Sequence, residues 1–205
     1  MNIEVDHRAM LGPIRDQGTR PTCLAHATTD AHEVARRASE RLSVEYLHWY
    51  SARGVGGASM IGTAHTLRKF GQPRDGDCPY FSTAPESSWT PDTPKQPCYR
   101  RASIGPPATA QAVWKFLDRG AVVLGISMPR SFLTPTAPWV ATQGTPVIGS
   151  HALLAVGKGE HEGKPVLLVR NSWGASWGDE GHVWLTESFL AHHLRKVLVL
   201  TEELV

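Results

Sequence analysis

The stretch Arg170-Asn171-Ser172-Trp173-Gly174-Ala175-Ser176-Trp177-Gly178-Asp179-Glu180-Gly181-His182-Val183-Trp184-Leu185 constrains this chain more than any other. Two Trp-Gly pairs in quick succession, then Asp-Glu-Gly, then an alternating strand form a pattern far more specific than an isolated cysteine or histidine. Taken singly, Asn171 could cap a turn and the two tryptophans could fill core. Far upstream stands Gln17-Gly18-Thr19-Arg20-Pro21-Thr22-Cys23, and between the two lies Ser150-His151-Ala152. A free cysteine is most often a small buried hydrophobe, and a histidine beside Ala-Leu-Leu-Ala-Val is usually a core residue. The grouping of all three islands is what these bland readings leave unexplained, and it makes a thiol hydrolase the leading reading.

A thiol is a usable nucleophile only as thiolate, which a helix N-terminus and an imidazolium partner both favour. From Cys23 to Glu40 the chain is Ala-rich and free of Gly and Pro, so a helix is expected to begin at the cysteine. Its first turn would direct unpaired N–H groups and the positive end of the dipole at the sulfur.

With these residues in view, QGTRPTCLAH resembles the nucleophile segment of papain-like cysteine peptidases, and RNSWGASWGDEGHVWL resembles their Asn-Ser-Trp-Gly segment. The order Cys, Gly-Gly loop, His, Asn is also the family's, and the separations lie near its roughly 130–150 residues. The resemblance implies that Cys23 is the nucleophile and His151 its ion-pair partner and general base and acid. Asn171 would orient the imidazole, with Trp173 shielding that bond from water, and Gln17 would join the Cys23 N–H in binding the oxyanion. It also implies a two-lobe α+β fold, a helical lobe packed on an antiparallel, β-barrel-like lobe with the site in the cleft between them. No cofactor or metal is implied.

Gly56-Gly57 matches the glycine pair whose backbone would pair with an extended substrate. Met60, Gly125, Gly149 and Ala152 would wall the pocket for the residue two places before the cleaved bond. Small walls predict a bulky apolar or aromatic residue there, unless residues 129–149 fold across the cleft. The chain departs from the family pattern at Leu24-Ala25-His26, where Trp-Ala-Phe is usual, and at Ser150, where an acidic residue often stands. His26 would perturb the thiolate or point into the core, the core being favoured.

Composition excludes several classes. A net charge of +2 with scattered signs offers no basic stripe for nucleic acid, no stretch approaches a membrane span, and the histidines lack metal-ligand spacing with one another or with cysteine. Residues 1–10 lack the apolar core of a secretory signal. The match to the mature domain of the family begins near the start, so the expectation is a cytoplasmic, bacterial enzyme made without a propeptide, a processed form or excised domain being the alternatives. Arg20 stands where secreted relatives carry a cysteine, so their staple to the Gly-Gly loop cannot form. Cys78 and Cys98 flank a Pro-rich segment and would add about 3 kcal/mol if joined, yet stay thiols in a reducing compartment.

A coarse pass predicts helices opened by Ser43 and ending at Tyr50, opened by Ser59 or Met60 and ending at Phe70-Gly71, and capped by Thr109 and ending at Arg119. Residues 73–107 read as an irregular connection. Strands are expected at 121–126, 151–156, 165–170, 182–185 and 197–200. One domain spanning 1–205 results, helical over 12–105 and β-rich over 106–205. The expected partner is a peptide or protein substrate, one dedicated protein in particular, with an inhibitor or regulatory protein as a further partner. Alternatives are a thiol acyltransferase or amidase, and a catalytically silent peptide-binding module.

Overall fold

The computed structural model describes residues 1–37, 40–52, 58–94 and 98–204. Helix α1 (Cys23–Arg36) begins at the cysteine as expected and stops at Arg37, which adopts a left-handed conformation (φ 52°) and returns its N–H to Glu33 and Val34. Predicted cap residues open the next helices: Ser43 Oγ accepts from Tyr46 N at α2 (Val44–Ser51), and Ser59 Oγ from Gly62 N at α3 (Met60–Lys69). Thr109 does the same for α4 (Ala110–Phe116), which ends before Arg119.

Five strands coincide with the predicted runs and extend them: β3 (Val122–Pro129), β5 (Val147–His161), β6 (Lys164–Arg170), β7 (His182–Thr186) and β8 (Leu194–Leu204). Three strands and one α-helix were not anticipated, namely β1 (Asn2–Asp6), β2 (Arg100–Ile104), β4 (Val140–Ala141) and α5 (Glu187–His193). The connection over residues 73–107 is therefore not wholly irregular, because its end pairs with β8.

The strands form one sheet ordered β2-β8-β3-β5-β6-β7-β4, with β1 added to β5. All pairings are antiparallel except β4 with β7. The sheet is α+β in context, but the expected barrel-like closure is absent among the described residues. Its two ends are a strand paired only with β8 and a two-residue strand on β7, and no ladder joins them.

Strand periodicity divides the core. Val122, Leu124, Leu153, Val169, Val183 and Leu185 point to one face, where α4 and α5 pack. Val123, Leu154, Leu168, Trp184 and Leu198 point to the other, where Leu24, Ala27, Ala31 and Val34 of α1 cover them. Helix α1 also touches the helical side through Ala25, which joins Val44, Leu47 and Leu67. Burial on both sides holds a helix rich in Thr, His, Asp and Glu, and several of its buried polar groups find partners: Asp30 and Glu33 pair with Arg15, and His32 Nδ1 meets Gln72 Oε1 at 2.9 Å.

Candidate active site

Thr22 precedes Cys23 but does not cap α1 with its side chain. Its hydroxyl is engaged by Tyr80 Oη at 2.8 Å, so the first-turn N–H groups keep their partial positive charge near the sulfur. The Cys23 thiol is half-buried. Burial pushes it above the usual thiol range, opposed by the backbone N–H groups of Ala152, Leu24 and Cys23 itself. The Ala152 N–H of β5 reaches the sulfur, so the neighbour of His151 lies beside Cys23.

His151 Nε2 donates to Asn171 Oδ1 at 2.8 Å. That oxygen also accepts the Ser172 N–H at 2.8 Å, and the double acceptance fixes which way the amide faces. The tautomer follows: Nε2 carries the proton and Nδ1 keeps the lone pair. Trp173 lies over the imidazole with ring centroids 4.5 Å apart and 30° between planes, the placement expected of a shield. Phe132, from the segment after β3, backs Trp173 and Trp177, and its carbonyl accepts from Trp177 Nε1. This part of residues 129–149 thus packs behind the imidazole.

Burial takes His151 down to about 4, against the opposing bond from Asn171. Burial thus works against charge on each of the two groups taken singly.

Gln17 is buried and held from both ends. Its Nε2 donates to Arg20 O at 2.7 Å, and its Oε1 accepts from Ser172 Oγ at 2.7 Å. An amide nitrogen has two N–H groups, so one remains for a substrate oxygen. The loop carrying Gln17 is braced by Tyr80, whose hydroxyl donates to Gln17 O at 2.9 Å.

Of the expected substrate-binding residues, Gly56 and Gly57 lie outside the described residues. Met60, Ala152 and Gly125 are brought together: Met60 and Ala152 share the apolar cluster that Cys23 joins, and Gly125 pairs with Ala152 across β3 and β5. A Cβ built at Gly125 would meet Met60 Cε at 3.1 Å, so the methionine already occupies that space. Gly149 is open, with nothing within 4 Å of a Cβ placed there.

His26 points into the core. It is 2 % exposed, bonds Thr22 O through Nδ1, meets Tyr80 edge to face at 4.8 Å, and is driven by burial to about 4. Cys78 and Cys98 are free thiols. Among the described residues no group of His, Cys, Asp and Glu is arranged to hold a metal ion, and no helix is long and apolar enough to cross a membrane.

Three participants were missed. Ser172 was read as part of a motif with no role of its own, and Tyr80 sits in a segment without periodic pattern. Asp30 bridges the walls: it accepts from Arg15 on the segment before the nucleophile and from Arg170 Nε at 2.7 Å, one residue before Asn171. A carboxylate inside a predicted helix facing a sheet was the available signal, since a buried charge demands a partner.

Comparison with known proteins defines the class. The fold superposes on the Carica candamarcensis cysteine protease, solved in complex with E-64, with a TM-score of 0.79 over 97% of both chains at 19% identity. Xylellain, a cysteine protease from Xylella fastidiosa, gives 0.77 over 96% of this chain and 85% of that one at 20% identity. The architecture is thus papain-like. The sequence matches the profile of the papain family cysteine proteases over residues 1–193, and the chain belongs to that family. It is 27% identical to cathepsin K of Gallus gallus over 196 residues, 91% of this chain and 58% of that protein. Cysteine proteinase 2 of Zea mays is 58% identical over a segment of 38 residues, 18% of this chain and 11% of that protein. The chain spans little more than half the length of cathepsin K.

Proposed function

We propose that this chain is a cysteine peptidase that cleaves a protein partner through an acyl-enzyme. The observation that carries this is the doubly fixed Asn171 Oδ1 holding His151 in one tautomer, beside a thiol at an uncapped helix N-terminus. Family membership supports the same reading.

In this mechanism His151 Nδ1 removes the proton from Cys23 Sγ as the sulfur attacks the scissile carbonyl carbon. Proton transfer coupled to attack suits a pair that rests neutral. The carbonyl oxygen gains the negative charge and is met by the Cys23 N–H and the spare N–H of Gln17. Collapse breaks the C–N bond, with His151 returning the proton to the leaving amine. Water, deprotonated by His151, then attacks the thioester and releases Cys23. Asn171 keeps the ring aligned through both halves of the cycle.

The test is hydrolysis of a pooled fluorogenic peptide library by wild type and Cys23→Ala under reducing conditions, alongside labelling with E-64. Turnover and labelling by wild type alone support a peptidase. Labelling without turnover points to an enzyme specific for its partner, or to acyl transfer to an acceptor other than water. An inert Cys23 would promote the silent peptide-binding module.

A further inference from the structure

His193 ends α5, and its ring joins three parts of the structure that carries His151. The Gly144 N–H donates to His193 Nε2 at 3.2 Å. A backbone N–H can only donate, so Nε2 bears the lone pair and Nδ1 the proton. Nδ1 then donates to Ser127 Oγ at 3.3 Å, and the Ser127 hydroxyl donates back to His193 O at 3.4 Å. The ring also lies against Phe189, with centroids 4.8 Å apart.

Each contact leads to His151 by a short path. Ser127 on β3 is the register partner of Ser150, the residue before His151. Gly144 belongs to residues 130–146, the segment that feeds β5, whose base is closed by Arg130 N donating to Pro146 O at 2.9 Å. Phe189 packs on Phe132, which backs the Trp173 that lies over the imidazole of His151. A Cβ at Gly144 would collide with Ser131 Oγ and stand 3.3 Å from Pro129 Cβ, so this segment meets His193 with its backbone.

His193 is 4 % exposed. Burial, with Arg195 and His192 nearby, keeps it below the usual histidine range against the opposing bonds from Ser127 and Gly144. Arg195 of β8 and His192 of α5 are the titratable groups that act on it, whereas β3 and residues 130–146 face it with Ser127 and Gly144, which carry no charge. A second proton on the ring goes to Nε2, the one position that accepts. The ring then sets an N–H against the Gly144 N–H, donor to donor, and the bond is lost.

We propose that His193 is a positioning residue for His151 that works only as the neutral imidazole, so that its protonation releases residues 130–146 and lowers turnover. The effect on turnover rests on the peptidase reading, whereas the release itself does not.

The experiment follows wild type, His193→Gln and His193→Phe from pH 7 to pH 4. One readout is exchange of the Gly144 and Ser150 amides, corrected for intrinsic pH dependence, with the amides of β6 as control; the other is kcat on a fluorogenic peptide. Glutamine offers a carbonyl that accepts the Gly144 N–H at every pH, and phenylalanine keeps the contact with Phe189 but accepts nothing. On acidification the wild-type Gly144 amide should speed up relative to β6, and kcat should fall roughly three- to tenfold further than in His193→Gln, the range of one hydrogen bond. The acid limb left in His193→Gln belongs to His151. In His193→Phe the Gly144 amide should already be fast at pH 7, with no acid response of its own; if that variant does not fold, wild type against His193→Gln carries the test.

An acid response of Gly144 that is the same in wild type and His193→Gln overturns the release. A response confined to wild type, with identical kcat profiles in the two, overturns the positioning role. If wild type turns over no peptide, the peptidase reading fails on its own and exchange decides. Acid release of Gly144 and Ser150 in wild type but not in His193→Gln then upholds the inference, and any other pattern overturns it.

Discussion

Ser172 Oγ donates to Gln17 Oε1 at 2.7 Å, joining the residue after Asn171 to the amide proposed as an oxyanion donor. The bond crosses from the loop after β6 to the loop before α1, so the alignment of one wall's donor depends on the other wall. Gln17→Ala should lower kcat about 100-fold by removing one oxyanion donor. Ser172→Ala should lower it only about 3- to 10-fold, since Arg20 O still holds Nε2. Equal losses in the two variants would show that the serine acts elsewhere.

Asn171→Ala removes the acceptor of both His151 Nε2 and the Ser172 N–H. Activity should fall roughly 10- to 100-fold as the ring gains freedom of tautomer and orientation. Stability should fall as well, by about 1–3 kcal/mol, because a buried N–H is left unpaired. Denaturant midpoints and steady-state kinetics on one preparation check both.

Burial raises the Cys23 thiol and lowers His151, so thiolate is scarce near neutrality. Alkylation of Cys23 by iodoacetamide should therefore climb with pH into the alkaline range. A rate already level from pH 5 upward would mean that the ion pair exists after all.

His26 and His32 are buried and pushed down to about 4. A histidine in the unfolded chain binds its proton near pH 6.5, earlier on acidification than these two. Stability contributed by keeping them neutral is thus present above about 6.5 and lost as pH falls toward 4, on the order of 2–3 kcal/mol for each. Urea midpoints from pH 7 to 4 should drop steeply, and His32→Leu should reduce the slope by one proton.

Arg170→Ala strips Asp30 of one of its two cations and frees the carbonyls of Gly12 and Pro13 that the guanidinium also binds. Removing one member of a buried ion cluster costs about 3–5 kcal/mol. Arg170→Lys should recover only part of this, because an ammonium cannot reproduce the fork. Thermal melts of both variants decide it.

What the sequence disclosed follows from where each signal is local. The five long strands betrayed themselves by apolar runs, and α2, α3 and α4 by a serine or threonine at the cap. Strand β2 did not, because Arg100-Arg101-Ala102-Ser103-Ile104 has little apolar content and its pairing with β8 is set by tertiary contact. Strand β1 is mostly exposed at the sheet edge, so alternation is not enforced there. In the cleft, Cys23, His151, Asn171 and Gln17 stood out as motif residues. Tyr80 and Asp30 did not, since each acquires its meaning only from a partner far along the chain. The effect of burial on Cys23 and His151 was also hidden, because desolvation depends on the surroundings that folding builds.

Asp30 has one further implication. Its carboxylate is shared between Arg15 and Arg170 deep inside the molecule, and neither arginine can leave without stranding charge in an apolar surrounding. The two sides of the cleft are thereby riveted at their base, so any widening of the slot that pulled Arg170 away from Asp30 would have to break a buried ion pair.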